Sequence, residues 1–558
     1  MPGKKLFNRT WFAILICIAV VIPRSLSMAS SHSESYDDRF HIRHGLGFLS
    51  GTIASKNLIF MDPPLGQAII ALPIVLVNLY TGYPLSEYQG DGEPISLESF
   101  ALIFAAWKSI LFGLGVGLAF HWCRQIYGLR SAWLVLILLT FEPNLAAHVP
   151  VPALDILGME AILLACYHSW RFASNPTWAR AIGLGATTAM AMLVKHTAAI
   201  LPLVVLIMVA LQWIIRPRYT RMESAQDSGT SSSTRIRMLG LAGVSGMFFL
   251  WALLLFDRTP PFFAMDDAAR AWTRHPQVRQ VLEKRWPAGL YGSCLIQASY
   301  RGRTGNQAYL FGQKSMGWWY YLPAVALYKV PLGIWFLLIL TPLSLRAAPP
   351  RWDEWGLALP AIIWAVFLMS SRFSMGFRHF FPCYLFLIML ASRCASVPGR
   401  SWVAACLGAA IAVVSHSVWY HPNYISYVNF PRDKVYLAIS DSNVDWGQSL
   451  KQIRDWLDKH PPGSRPVTLR YFGILTMGNP DERKQEVDRL IAHYLDKRVA
   501  LLRPHDPLPA HGLLIVSAVP FSGLYEERDR FAPLRQRKPD SIIGDCMLVF
   551  DLDQPSAP

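Results

Sequence analysis

The chain has 558 residues, 53% of them hydrophobic and only 16% charged, with a mean hydropathy of +0.28. Soluble domains carry roughly 25% charged residues, so a wholly soluble fold is excluded. The formal charge of +15 does not point to nucleic acid, because the Lys and Arg sit mainly in short loops between apolar blocks and form no contiguous basic face.

The first apolar run, 11–22, comes after Lys4, Lys5 and Arg9. It is short for a span, which needs about 20 residues, and the SLSMASS after it resembles a signal-peptidase region. Cleaved or retained, it sends the next stretch of chain to the outer face; a retained anchor is expected. Further candidate spans fall at 99–121, 131–147, 153–170, 181–196, 197–215, 239–257, 320–343, 355–371, 379–394 and 401–418, about eleven with the first. The stretch 65–81 is also apolar, but its Pro-Pro start and acidic exit (Glu87, Asp91, Glu93) suit a helix lying at the surface.

Charge orients this arrangement. The loops predicted inside carry Arg124 and Arg130, then Arg171 and Arg180, then Arg216, Arg218, Arg221, Arg235 and Arg237. Later ones carry Arg346 and Arg351, then Arg393 and Arg400. The loops predicted outside are SESYDD, EPNLAAHVPV and a long segment near 258–319. Positive residues therefore mark one side, which predicts a multi-pass cell (inner) membrane protein with a cytoplasmic N-terminus and an extracytoplasmic (periplasmic) C-terminal domain. MESAQDSGTSSS (222–233) reads as a flexible cytoplasmic linker.

Charges return after about residue 418, so the chain divides into a membrane domain, 1–418, and a soluble domain, 419–558. In the second, Asp445 is placed to cap a helix through about Lys459, with Leu450, Ile453 and Leu457 on one face. VTLRYF (467–472), GLLIVSA (512–518) and CMLVFDL (546–552) read as strands, with a helix near 484–495 between the first two. The expected fold is an α-helical polytopic membrane protein with a small C-terminal α/β domain outside. The eight cysteines show no CxxC pair and no metal-ligand spacing. Only Cys294 and Cys546 fall in outer regions, and a disulfide between them stays open.

Ionisable residues at membrane depth are costly and usually functional. Asp37 and Asp38 lie in SYDDRFH, Asp62 in FMDPPLGQ, Glu142 in FEPN and Asp155 in PVPALDILG. All converge on the outer face in this topology. A sugar transferase needs one carboxylate to take the acceptor's proton, and a second to orient the acceptor or steady charge on the ring. A solvated loop start is the alternative for Asp37 and Asp38, and helix capping the alternative for Asp155.

Near the same face lie Lys195, Lys329, and Arg372, Arg378 and His379 of SSRFSMGFRHFFP. Such cations favour departure of a lipid phosphate; headgroup contact by snorkelling is the alternative. GWWYYLP (317–323), with Trp318, Trp319 and Tyr320, is either an interfacial belt or a sugar platform. No P-loop, GxSxG, HExxH or strand–helix DxD is present, which argues against a soluble nucleotide-sugar enzyme.

The order of these features resembles the polyprenyl-phosphate-sugar-dependent glycosyltransferases of the protein O-mannosyltransferase type, with the multi-span GT-C fold. The bacterial branch commonly shows an acidic pair, then HPPL, a late RHLLP and DSNxDWGQ. The matching segments are SYDDRFHIRHGLGFL, MDPPLGQ, FRHFFP and DSNVDWGQSL (441–450), joined by EPNLAAHVPVPALDILG, AMLVKHTAAILP and GWWYYLPAVALYKVPL.

The resemblance implies that Asp37 is the catalytic base, with Asp38 where Glu is usual, and that Asp155 is the second-loop acid. It sets Arg378 and His379 toward the carrier phosphate. Lys195 and Lys329 join them in that reading, with Asp62, Trp318, Trp319 and Tyr320 toward substrate. Asp62 departs from the family's His and adds negative charge near a phosphate site.

The expected reaction is a single inverting displacement from a polyprenyl-phosphate sugar to a protein, lipid or glycan acceptor, with membrane lipids as further partners. It needs no cofactor and no metal, although a divalent ion between Asp37 and Asp155 is compatible with it. A transporter or flippase is the first rival, disfavoured by the lack of internal repeats. A scaffold presenting the C-terminal domain is the second, and DSNVDWGQ is read either as part of the site or as a structural turn.

Overall fold

The computed structural model describes residues 2–51, 62–81, 97–215, 231–429, 432–473, 480–496, 498–526 and 528–554. The acidic exit at Glu87, Asp91 and Glu93, the arginines at 216, 218 and 221, and residues 222–230 of the expected linker lie outside them. The linker's last two residues already belong to helix Ser232–Leu253, whose N-terminus Ser231 caps by accepting from Thr234 N.

Among the described residues, seven helices are long and apolar enough to cross a membrane: Arg9–Ser31, Phe100–Tyr127, His196–Ile215, Ser232–Leu253, Trp352–Ser370, Phe377–Ser396 and Arg400–Tyr420. Tyr321–Lys329 and Leu332–Ala347 make an eighth if their 116° bend joins one span. Pro331 lies in that bend and cannot supply a backbone N–H to carry the helix through. Pro64–Tyr80, Leu129–Phe141 and Trp178–Val194 are apolar but shorter.

The expected span 131–147 is therefore two pieces. Glu142 leaves helical geometry at ψ 119° and accepts from Leu145 N at 2.6 Å. It thus ends helix α5 (Leu129–Phe141) and caps the six-residue helix Pro143–His148. The first helix, α1 (Pro2–Ser31), runs unbroken through SLSMASS, longer than the 11–22 run. It packs along α4 (Leu97–Tyr127), where glycines allow close approach. A Cβ on Gly113 would clash with Ile18 Cγ1, and one on Gly117 with Ile14 Cγ1. Small residues serve helix contacts in lipid because apolar burial alone does not distinguish a helix neighbour from a lipid tail.

The C-terminal region holds a five-stranded sheet, in spatial order Ala500–Leu501, Val467–Arg470, Leu513–Ser517, Met547–Asp551, Ser541–Ile543. The first three strands are parallel and the last two pair antiparallel. Two of the three inner strands, LLIVS and MLVFD, are buried at every position, as expected of a sheet covered on both faces. Helices Leu450–Lys459 and Pro480–Leu495 pack against each other beside it.

The sheet region joins the membrane helices through the segment between the first two helices. Ser33 N donates to Gln448 O (2.9 Å) and Tyr36 N to Trp446 O (2.7 Å). All eight cysteines are free, and Cys546 lies against Gln448 and Ser449 rather than Cys294.

Candidate active site

Four chain segments bring charged side chains to one buried place. Asp37 stands at the N-cap of helix α2 (Asp38–Leu49), where its side chain makes no capping bond. Its Oδ2 instead accepts from Arg378 Nη1 at 2.9 Å. The same Nη1 lies 3.5 Å from Asp155 Oδ2, and Asp155 Oδ1 accepts from Lys195 Nζ at 2.6 Å. The result is an alternating series Asp37–Arg378–Asp155–Lys195. Charges withdrawn from water are tolerable when paired in this way.

Local structure explains each placement. Asp155 opens helix α7 (Asp155–Ser174), where the helix dipole favours a carboxylate. Lys195 is the extended residue between helix Trp178–Val194 and the 3₁₀ turn His196–Ile200. Arg378 and His379 sit in the 3₁₀ turn Phe377–Phe380.

The DSNVDWGQ segment holds that turn. Asn443 Oδ1 accepts from Phe377 N at 2.8 Å, and Trp446 presents its ring to the Arg378 guanidinium at 4.1 Å, a favourable cation–π placement. Burial raises the Asp441 carboxyl above its ordinary value, opposed by bonds from Ser442 and from the Tyr525 hydroxyl at 2.9 Å.

Asp37, Arg378, Asp155 and Lys195 line a cavity of about 940 Å³, together with Asp62, His196, His379, Arg301 and Arg303. Asp62 Oδ1 and His196 Nδ1 lie 2.5 Å apart. Burial alone would raise the Asp62 carboxyl, but His196 and Lys195 outweigh it and hold it well below the usual carboxylate range. Among the described residues, Arg378 Nε and His379 Nε2 are buried without a hydrogen-bond partner, and no group of three or more His, Cys, Asp or Glu is arranged to hold a metal ion.

Of the residues singled out from sequence, the structure thus brings Asp37, Asp62, Asp155, Lys195, Arg378 and His379 together and places the others elsewhere. Asp38 turns to the opposite side of the loop, accepting from Ser35 N at 2.8 Å and from the Ser35 hydroxyl. It lines a small second cavity of about 60 Å³ shared with His32 and Lys451, and burial pushes its carboxyl up to about 7. Lys329 is 3% exposed and donates to Ile425 O (2.9 Å) and Asn443 O (2.7 Å), holding those two segments together away from the cavity.

Trp318, Trp319 and Tyr320 do not line it either, although Leu322 of the same block does. Trp318 stacks parallel to Tyr321, and Trp319 is 67% exposed. Glu142 is occupied as a cap, receiving Leu145 N, Asn144 Nδ2 and the Tyr384 hydroxyl. Sequence reasoning missed Trp446 and His196. Both lie inside motifs already recognised, so the signal was adjacency to Asp445 and Lys195.

Residues 98–222 match the family model described as dolichyl-phosphate-mannose-protein mannosyltransferase. Over that stretch, which carries Glu142, Asp155 and Lys195, the chain is similar to a glycosyltransferase family, in line with the resemblance carried by its ordered motifs. No curated protein matches the chain.

Among solved structures it is similar to ArnT from Cupriavidus metallidurans bound to undecaprenyl phosphate, at 14% identity and TM-score 0.46, covering 97% of each chain. It is also similar to the archaeal oligosaccharyltransferase AglB from Archaeoglobus fulgidus, solved with an inhibitory peptide and a dolichol-phosphate. That likeness has 11% identity and TM-score 0.42, covering 92% of this chain and 70% of that one. Likenesses this distant fix no residue correspondences.

Proposed function

We propose that the protein is a GT-C-type glycosyltransferase that moves a hexose or pentose from a polyprenyl-phosphate carrier to an acceptor hydroxyl at the outer membrane face. The observation that carries this reading is the series Asp37–Arg378–Asp155–Lys195 along one wall of a 940 Å³ cavity, with hydrogen-bonding capacity on Arg378 and His379 left unused.

Asp37 takes the acceptor's proton. Among the described residues its Oδ1 makes no hydrogen bond, while Oδ2 is fixed by Arg378, so one oxygen is held and the other is available. The acceptor oxygen attacks the anomeric carbon, the bond from that carbon to the phosphate oxygen breaks, and the configuration inverts. Lys195, Arg378 and His379 receive the charge that develops on the departing lipid phosphate. Asp155 holds Lys195 and Arg378 at the spacing this requires. No metal or other cofactor enters the scheme.

The test uses membranes bearing wild type or Asp37→Asn, supplied with labelled polyprenyl-phosphate hexoses and pentoses, and tracks label leaving the lipid. Turnover by the wild type that is lost in Asp37→Asn at equal protein level supports both transferase and base. Equal turnover in both removes Asp37 from the centre, and no turnover with any donor or acceptor extract overturns the transferase reading.

A further inference from the structure

The outer segment between helix Ser232–Leu253 and helix Tyr321–Lys329 breaks the charge rule that orients the rest of the chain. Residues 258–319 contain nine Lys or Arg against three Asp or Glu, a dense excess of cations on the face where the orientation rule expects few. The segment lies on the cavity side: Arg301 and Arg303 line the cavity, and Lys314 Nζ reaches Gly523 O beside the C-terminal sheet at 3.2 Å.

Its three acids are already engaged, Asp266 with Arg301, Asp267 with Arg270 and Glu283 with Arg279. Arg274, Lys284 and Arg285 have no acidic partner among the described residues, and all three are exposed.

Apolar side chains share that surface. Val278 and Val281, one helical turn apart on Pro276–Leu282, are each nearly half exposed, as are Trp272 and Trp286. The stretch is tethered at both ends to apolar helices, which keeps it within reach of a bilayer that those helices cross. An aromatic and aliphatic face ringed by unpaired cations matches the chemistry of an interface between acyl chains and anionic headgroups.

We infer that residues 270–286 form a docking surface for acidic phospholipids, with Val278, Val281 and Trp286 entering the acyl boundary and Arg274, Lys284 and Arg285 engaging the headgroups. The surface reaches the cavity mouth through Arg303, whose guanidinium lies 5.5 Å from the Trp272 ring, so bound acidic lipid would sit beside the opening. This inference needs the chain to be embedded in a bilayer but not to be a transferase.

The experiment places a photo-crosslinking benzophenone side chain at position 281 of the full-length protein. The protein is then reconstituted in phosphatidylcholine bilayers containing a minority of phosphatidylglycerol, and the adducts are identified by mass spectrometry. The expected result is phosphatidylglycerol enriched about threefold or more over its bulk share. The enrichment should fall to bulk in the Arg274→Gln/Lys284→Gln/Arg285→Gln variant and shrink in 1 M salt, where screening acts within about 3 Å.

Adducts at the bulk lipid ratio, enrichment insensitive to both salt and the triple variant, or no lipid adduct would each overturn the inference. So would adducts formed only with protein or glycan in native membranes. Because the readout is independent of turnover, an inactive protein that still enriches acidic lipid would separate this inference from the proposed reaction.

Discussion

The buried charges of the cavity wall and those a short way behind it are partnered in different ways. Behind the wall, Lys329 donates to two main-chain carbonyls, and Lys108 donates to three, those of His148, Val151 and Ala153. Glu142 receives three donors. On the wall, side chains meet side chains from distant segments, and Arg378 Nε and His379 Nε2 remain unmatched among the described residues. A group whose bonding is complete holds the fold, whereas a buried group with capacity to spare is poised for something that arrives. Burial and charge are common to both sets; among the described residues, a buried atom with no partner at all marks Arg378 and His379 but not Lys329, Lys108 or Glu142.

The sharpest way to break this contrast is at Arg378. Arg378→Met leaves Asp37 without its partner and weakens the balance at Asp155. Turnover should drop by roughly 10³-fold or more, and stability by about 3–5 kcal/mol, read by lipid-to-product transfer and by thermal unfolding in detergent. Arg378→Lys should recover stability more than turnover, since it restores charge without the planar fork.

Lys329→Met tests the other set. It strands the carbonyls of Ile425 and Asn443 and should cost about 2–4 kcal/mol, while folded enzyme keeps a kcat near wild type. A kcat loss as deep as at Arg378 would erase the distinction between the two sets.

Trp446→Leu removes the ring beneath Arg378. A desolvated cation–π contact is worth about 2 kcal/mol and Trp446 is buried, so stability should fall by about 2 kcal/mol or more and kcat/KM by roughly 10- to 30-fold.

The smallest effect concerns Asp38, whose folded-state value of about 7 lies above its unfolded value. The folded protein therefore holds that proton more tightly than the unfolded chain does. The cost of ionising it is absent below about pH 4, grows toward pH 7 and is constant above. Asp38→Asn should then raise stability by about 1 kcal/mol or more above pH 7 and leave it unchanged near pH 4, measured as melting temperature against pH.

Much of this arrangement was legible in the sequence. Hydropathy marked the helices, and the return of charge after about residue 418 marked the sheet region. The order of short motifs picked out Asp37, Asp155, Lys195 and Arg378, which lie up to 341 residues apart. What failed was geometry within a motif. Asp37 and Asp38 are neighbours in one loop, yet its turn points them to different cavities.

Lys329 carries the charge expected of a phosphate ligand, but pattern alone cannot reveal that two loop carbonyls already engage it. Glu142–Pro143 split a predicted span because a carboxylate ahead of a proline makes a helix start more readily than a helix interior. Trp446 was missed because its role is set by Arg378, 68 residues upstream in sequence and adjacent only after folding.

The hydrogen bonds that tie Ser33 and Tyr36 to Gln448 and Trp446 also constrain biosynthesis. Asp37 leaves the ribosome more than 400 residues before Trp446, an interval of about 20 to 80 s at ordinary rates of synthesis. For most of that time, until Arg378 and then Trp446 are made, the early membrane helices hold an acidic loop whose cation and aromatic support do not yet exist. A nascent or truncated chain is thus expected to lack the assembled charge series, and the last segments made act as the latch that completes a site begun at the other end.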